Sequence, residues 1–138
     1  MNQKNAPFLV VDDEPEMCWV LENILKINGL TCMIALNARE AIALTERQSF
    51  RMAFLDAKLP DIDGLDLARQ LRKSYPRLPI VIVSGYFYQD DLTIKKALRS
   101  GLISAFVGKP FTHDEIVRVI ARHTLIGKTN PSLLELIP

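Results

Sequence analysis

The stretch that decides the fold lies near the N-terminus and reads Phe8-Leu9-Val10-Val11-Asp12-Asp13-Glu14-Pro15. Four consecutive apolar residues are typical of a strand that is buried on both faces of a parallel sheet. The acidic residues mark a turn, and Pro15 suits the first turn of a helix, which Gly29 is expected to end. Apolar residues then recur on one face of this helix: Val20, Leu21, Ile24 and Leu25.

The same alternation of strand and helix continues along the chain. Further apolar runs are Met52-Ala53-Phe54-Leu55, Ile80-Val81-Ile82-Val83 and Ala105-Phe106-Val107, with a weaker run from 31 to 36 assigned to a sheet edge. Four further helices are predicted. The second helix of the chain begins at an Asn37/Glu40 cap, and the third contains Leu65, Ala68 and Leu71. The fourth extends from about Asp90 to Arg99, and the fifth begins at a Thr112/Glu115 capping box. Five such alternations predict a doubly wound α/β sandwich. A parallel sheet in the order 2-1-3-4-5, one of the common orders of such folds, would make the first, third, fourth and fifth strands consecutive neighbours.

Composition limits the classes of protein to which the chain can belong. It has 138 residues, 49% of them hydrophobic, and a net charge of +1. We expect one domain over residues 1–125, followed by a tail or the start of a linker over 126–138. Near-neutral charge argues against direct nucleic-acid binding, and no apolar run approaches the roughly 18 residues of a membrane span. The absence of a signal peptide and two isolated cysteines, Cys18 and Cys32, predict a cytoplasmic protein.

Chemically active residues follow the predicted strands. Asp12 and Asp13 follow the first strand, Asp56 ends the third, Ser84 ends the fourth, and Lys109 follows the fifth. Ligands bind at the carboxyl ends of strands in open parallel sheets, so these side chains are expected to meet at one edge.

A cluster of carboxylates has a physical cost that a cation would relieve. Two carboxylates about 5 Å apart repel by roughly 3 kcal/mol at an effective dielectric constant near 20. Hard oxygen ligands without thiolate or imidazole favour Mg²⁺, with Mn²⁺ as a substitute. A phosphoryl group bound there would also pair with Lys109, and Asp56 would be the natural nucleophile, since aspartate forms acyl phosphates.

Four motifs resemble the receiver domain of two-component response regulators, a flavodoxin-like (βα)5 fold, over about residues 6–125. They are Val10-Val11-Asp12-Asp13, Phe54-Leu55-Asp56-Ala57-Lys58-Leu59-Pro60-Asp61-Ile62-Asp63-Gly64, Val83-Ser84-Gly85 and Gly108-Lys109-Pro110-Phe111. The resemblance implies a signalling switch rather than a conventional enzyme. Its partners would be a sensor histidine kinase or phosphotransfer protein, and an output domain or a second copy at the face of the fourth helix, fifth strand and fifth helix.

The resemblance also implies a role for each matching residue. Asp56 would accept the phosphoryl group. Asp13, Asp56 and the backbone carbonyl of Lys58 would bind Mg²⁺ directly, while Asp12 would act mainly through a water. Ser84 would hydrogen-bond the phosphoryl group, Lys109 would form a salt bridge to it, and Phe106 would turn inward as Ser84 moves. The bond between Lys109 and Pro110 is expected to be cis.

Several alternatives remain open at this stage. Asp61-Ile62-Asp63-Gly64 resembles the signature of haloacid-dehalogenase phosphatases, but Asp56 ends the strand instead. A flavodoxin would need a phosphate-binding loop where Asp12 stands. A phosphorylation-independent interaction module is the third alternative. Lys58 either hinders the water that would hydrolyse the acyl phosphate or simply faces solvent. The aromatic stretch Tyr86-Phe87-Tyr88 either belongs to the core or, as we interpret it, forms an exposed contact surface.

Overall fold

A computed structural model describes residues 5–86 and 91–124. Its strands are β1 (Phe8–Val11), β2 (Cys32–Ala35), β3 (Ala53–Asp56), β4 (Ile80–Ser84) and β5 (Ala105–Gly108). Its helices are α1 (Pro15–Ile27), α2 (Ala38–Arg47), α3 (Gly64–Ser74), α4 (Leu92–Arg99) and α5 (His113–His123). The predicted tail over 126–138 and the aromatic residues Phe87 and Tyr88 lie outside the described residues.

The five strands form one parallel sheet in the order β2-β1-β3-β4-β5, which confirms the predicted topology. Asp56 at the end of β3 pairs in register with Val83 of β4, and Ser84 at the end of β4 pairs with Gly108 of β5. The carboxyl ends of β1, β3, β4 and β5 therefore lie side by side at one edge.

Each face of the sheet carries its own hydrophobic core. Leu9 and Val11 face a layer formed with α2, α3 and α4, while Phe8 and Val10 face a layer formed with α1 and α5. All four of these side chains are at most 1% exposed. Continuous burial on both faces explains why the β1 sequence is an unbroken apolar run.

Local signals position the helix ends as the sequence predicts. The Asn37 side chain accepts a hydrogen bond from the Glu40 amide, and Thr112 and Glu115 form a capping box at the start of α5. Gly29 and Gly101 follow α1 and α4 with φ of +74° and +79°, a conformation that favours glycine.

Two details of the predicted elements need correction. The apolar run of the fifth strand was expected to be buried on both faces, but only Val107 is buried, because the confirmed strand order places β5 at the sheet edge. An edge strand lacks a neighbour on one side, so more of its surface reaches solvent. The fourth helix begins at Leu92 with Asp91 as its cap, rather than at about Asp90. No helix in the described ranges has both the length and the apolar character needed to cross a membrane.

Candidate functional site

Three carboxylates converge at the carboxyl edge of the sheet. Asp12 and Asp13 follow β1, Asp56 ends β3, and one oxygen from each lies within 4.8 Å of the others. Asp12 and Asp56 are buried, whereas Asp13 is exposed and opens the group to solvent. The predicted acidic cluster is therefore present, with one side accessible.

Lys109 places an ammonium group against these carboxylates. Its Nζ lies 2.9 Å from an Asp12 oxygen, 3.5 Å from Asp56 Oδ1 and 3.8 Å from Glu14 Oε1. Burial alone would lower the pKa of Lys109, but the hydrogen bond to Asp12 and the charges of Asp12, Asp56 and Glu14 raise it above its usual value. Lys109 therefore stays protonated and compensates part of the negative charge.

Asp56 has a raised pKa. Burial is the largest cause, the charge of Asp12 adds to it, and Lys109 together with the Lys58 amide acts in the opposite direction. The surroundings of Asp56 therefore disfavour its ionised form, and a cation bound at the open side would stabilise that form.

The donor set fits a hard divalent cation such as Mg²⁺. The three side chains offer only carboxylate oxygens, the ligands that Mg²⁺ prefers. Cys18 lies nearby, but burial above all, and then the charge of Asp12, raises the pKa of its thiol to about 11. That thiol stays protonated and donates a hydrogen bond to the Asp12 carbonyl oxygen over 3.2 Å.

The loop between β3 and α3 begins directly after Asp56. The Gly64 amide donates to the Ala57 carbonyl oxygen over 2.8 Å, and Lys58 pairs with Asp63 as an isolated antiparallel bridge. A Cβ on Gly64 would lie 2.1 Å from the Asp56 carbonyl oxygen, so no other residue fits there without backbone movement. This close approach keeps the loop compact beside Asp56.

Ser84 ends β4, and Phe106 lies within β5. Ser84 is 1% exposed at the end of β4, and its Oγ accepts a hydrogen bond from the Tyr86 amide over 2.8 Å. Phe106 is half-buried in β5 and packs against the core layer that contains α4. The peptide bond between Lys109 and Pro110 is cis, as predicted.

Three contacts near the site were not predicted from the sequence. Glu14 lies near Lys109, Asp61 binds the start of α2, and the Lys58 Nζ lies 4.3 Å from the centroid of the Tyr86 ring. No local sequence pattern marks them, because each depends on how separate loops approach one another.

The profile of the response regulator receiver domain family matches residues 8–121. The chain belongs to this family. The match spans every strand and all but the last two residues of α5. The acidic cluster, Ser84 and Lys109 of this receiver domain all lie within it.

Similar proteins include longer regulators and isolated receiver domains. The DNA-binding transcriptional regulator NtrC of Salmonella typhimurium is 33% identical over 113 residues, 82% of this chain and 24% of its own length. The response regulator protein PilR of Pseudomonas aeruginosa is 32% identical over 127 residues, 92% of this chain and 27% of its own. The receiver domain thus spans about a quarter of these relatives. The crystal structure of the NtrX receiver domain from Brucella abortus is 30% identical, with a TM-score of 0.75, covering 84% of this chain and 96% of that one.

The face formed by α4, β5 and α5 carries exposed positive charge. The exposed basic residues here are Lys95, Lys96 and Arg99 on α4, and Arg118 and Arg122 on α5. Solvated basic residues on helices are common, so the charge by itself does not mark a partner surface.

Proposed function

We propose that this receiver domain is a phosphorylation-controlled switch in which Asp56 accepts a phosphoryl group. The donor would be a phosphohistidine on a sensor histidine kinase or phosphotransfer protein. The observation that carries this proposal is the meeting of Asp12, Asp13 and Asp56 within 4.8 Å, with the Lys109 ammonium beside them. Such a group suits acyl phosphate chemistry better than it suits a structural role.

In the proposed step, an ionised Asp56 oxygen attacks phosphorus and forms an O–P bond. The P–N bond to the donor histidine breaks, and its electron pair stays on the imidazole nitrogen, which takes a proton from solvent. Lys109 is 3.5 Å from Asp56 and would pair with an oxygen of the incoming phosphoryl group. Ser84, at the end of the neighbouring strand, would donate a hydrogen bond to another oxygen.

Mg²⁺, with Mn²⁺ as a substitute, would neutralise charge on the transferred group when bound. Asp13, Asp56 and the backbone carbonyl of Lys58 would hold the cation directly, and Asp12 would hold it mainly through a water. Asp12 also binds Lys109, at 2.9 Å, so it would orient the ammonium as well.

The output of the switch would be a change in surface shape. Movement of Ser84 toward the phosphoryl group would leave space for Phe106 to turn inward from its half-buried position. The face of α4, β5 and α5 would then change its affinity for an output domain or a second copy.

Intact-mass spectrometry after incubation with acetyl phosphate tests the proposal. Wild-type protein is expected to gain one phosphoryl group with Mg²⁺ and none with EDTA, while Asp56→Asn gains none. Asp66→Asn is the matched control, because Asp66 is an exposed carboxylate on α3, and it is expected to label like wild type.

Absence of the adduct in wild-type protein would overturn the proposal if a known receiver domain labels in parallel. That result would favour the alternative of a phosphorylation-independent interaction module. Labelling that persists in Asp56→Asn would show that a different residue is the acceptor.

A further inference from the structure

Asp61 connects the loop after Asp56 to a different helix. One of its carboxylate oxygens accepts a hydrogen bond from the Ala38 amide over 3.0 Å, and the other accepts one from the Arg39 amide over 2.9 Å. The first oxygen also accepts from the Ile62 amide over 3.1 Å. One side chain therefore joins the β3–α3 loop to the first turn of α2.

The start of α2 is complete only with Asp61. Asn37 accepts from the Glu40 amide, and the Ala41 amide donates to the Asn37 carbonyl oxygen. The first amides of a helix lack partners within it, and those of Ala38 and Arg39 are the two that Asp61 satisfies. A carboxylate at this end also interacts favourably with the helix dipole.

The ionised form of Asp61 is the one that these contacts favour. The hydrogen bond from the Ala38 amide is the largest cause of a lowered pKa, desolvation is the next largest effect and opposes it, and the Arg39 and Ile62 amides add to the lowering. Asp61 is therefore charged at neutral pH and accepts through both oxygens.

The same loop is fixed at its base as well. The Gly64 amide bonds to the Ala57 carbonyl oxygen, and Lys58 bridges to Asp63. Lys58 therefore lies between the end of β3 and the anchored Asp61, in a loop with little freedom to shift.

We propose that Asp61 is a positioning residue that ties this loop to α2 and so holds the Lys58 carbonyl in place for a divalent cation. The inference rests on the proposed function for its cation site. This role of Asp61 is separate from the resemblance of Asp61-Ile62-Asp63-Gly64 to the signature of haloacid-dehalogenase phosphatases. Groups behind the direct ligands of a metal often control its affinity in this way.

A helix cap without this role would behave differently. Loss of a simple cap would weaken the start of α2 and lower stability, but it would leave cation affinity unchanged. Loss of a positioning residue would also weaken the binding of Mg²⁺.

The test compares Asp61→Asn with Asp63→Asn. An asparagine at 61 keeps one acceptor oxygen but brings an amide group toward the helix amides. Asp63 is the matched control, since it is exposed and lies in the same loop. Its bridge to Lys58 is a backbone pairing that the substitution keeps, and its side chain makes no capping hydrogen bond to α3. Titration calorimetry with MgCl₂ measures affinity, and hydrogen exchange with mass spectrometry measures the mobility of residues 57–63.

We expect Asp61→Asn to bind Mg²⁺ about tenfold more weakly than wild type, with faster exchange in the loop and the first turn of α2. Asp63→Asn is expected to stay within about twofold of wild type, since exposed charges act weakly through solvent. Thermal unfolding of each variant checks that the domain is folded at the titration temperature.

Four results would overturn the inference. If Asp61→Asn kept its Mg²⁺ affinity while hydrogen exchange in α2 became faster, Asp61 would be a structural cap only. If hydrogen exchange of the loop stayed unchanged in this variant, Asp61 would not anchor the loop. An equal loss of Mg²⁺ affinity in Asp63→Asn would show that the effect comes from the negative charge of the loop rather than from the contacts of Asp61. If wild type itself failed to bind Mg²⁺, the proposed function would fail at its cation site, and the role of Asp61 toward the cation would fail with it.

Discussion

At the scale of single residues, Asp56 is governed by its electrostatic surroundings. It is 8% exposed, and burial, followed by the charge of Asp12, raises its pKa. The folded protein therefore holds this proton more tightly than the unfolded chain does. Stability falls as pH rises through the window between the ordinary pKa of Asp and the raised folded one. At neutral pH the ionised Asp56 makes the folded state less stable.

Asp56→Asn is accordingly expected to stabilise the domain at pH 7 without Mg²⁺. We expect a gain of roughly 1 kcal/mol, or about 3 °C in Tm for a domain of this size. The gain should shrink toward zero below about pH 3.9, where an unfolded Asp is protonated. Urea unfolding in EDTA at several pH values measures it.

The control for this prediction is Asp66→Asn, which removes an exposed carboxylate paired with Arg69. Its effect is expected to lie within about 0.5 kcal/mol. A loss of stability in Asp56→Asn at pH 7 would contradict the prediction and would mean that the pairing with Lys109 outweighs burial.

Lys58 gives a second prediction at this scale. Its side chain is exposed and its Nζ lies 4.3 Å from the centroid of the Tyr86 ring, within the range of a cation–π contact. An ammonium held between the two loops beside Asp56 would hinder the water that hydrolyses an acyl phosphate. A barrier contribution of about 0.7 kcal/mol corresponds to roughly a threefold change in rate.

Lys58→Ala is therefore expected to shorten the half-life of phosphorylated protein about threefold. The half-life is measured by intact mass after acetyl phosphate has been removed. Lys73→Ala, at an exposed lysine in the last turn of α3, is the control. Equal half-lives in all three proteins would mean that the Lys58 side chain only faces solvent.

At the scale of elements, the junction of β3 and α3 depends on Gly64. A Cβ there would meet the backbone of Asp56 and Ala57, which no side-chain rotation can relieve. Gly64→Ala is expected to destabilise the domain by about 3 kcal/mol and to slow labelling of Asp56. Denaturant unfolding and intact mass measure the two effects.

Gly85→Ala is the control at a second junction of the same edge. A Cβ at Gly85 would lie 3.7 Å from the Lys109 Cβ, which is ordinary van der Waals contact. This variant is expected to change stability by less than about 1 kcal/mol. Equal destabilisation of both variants would show that the close approach at Gly64 is not the cause.

At the scale of the whole molecule, features with a local sequence signal were predicted, whereas contacts between residues far apart in the sequence were not. Continuous apolar runs and caps such as Asn37 predicted the helices and strands and their order along the chain, because each of these signals lies within a few residues. The hydrogen bonds of Asp61 join residues that are 22 and 23 positions apart in the sequence. The contact of Lys58 with Tyr86 joins two separate loops. Such contacts depend on loop conformation, which no periodicity reports. The burial of the fifth strand was overestimated because its apolar run was interpreted without the edge position that the strand order gives it.

Cation binding should be visible in the unfolding of the entire domain. A ligand that binds only the folded state adds about 2.7 kcal/mol at one hundred times its Kd. The three carboxylates approach one another only in the folded chain, so Mg²⁺ is expected to raise Tm by this mechanism. Asp13→Asn should lose most of the rise at little cost to the metal-free fold, because Asp13 is exposed. NaCl at equal ionic strength is the control for screening. An equal rise in NaCl, or an undiminished rise in Asp13→Asn, would mean that the cluster does not hold the cation.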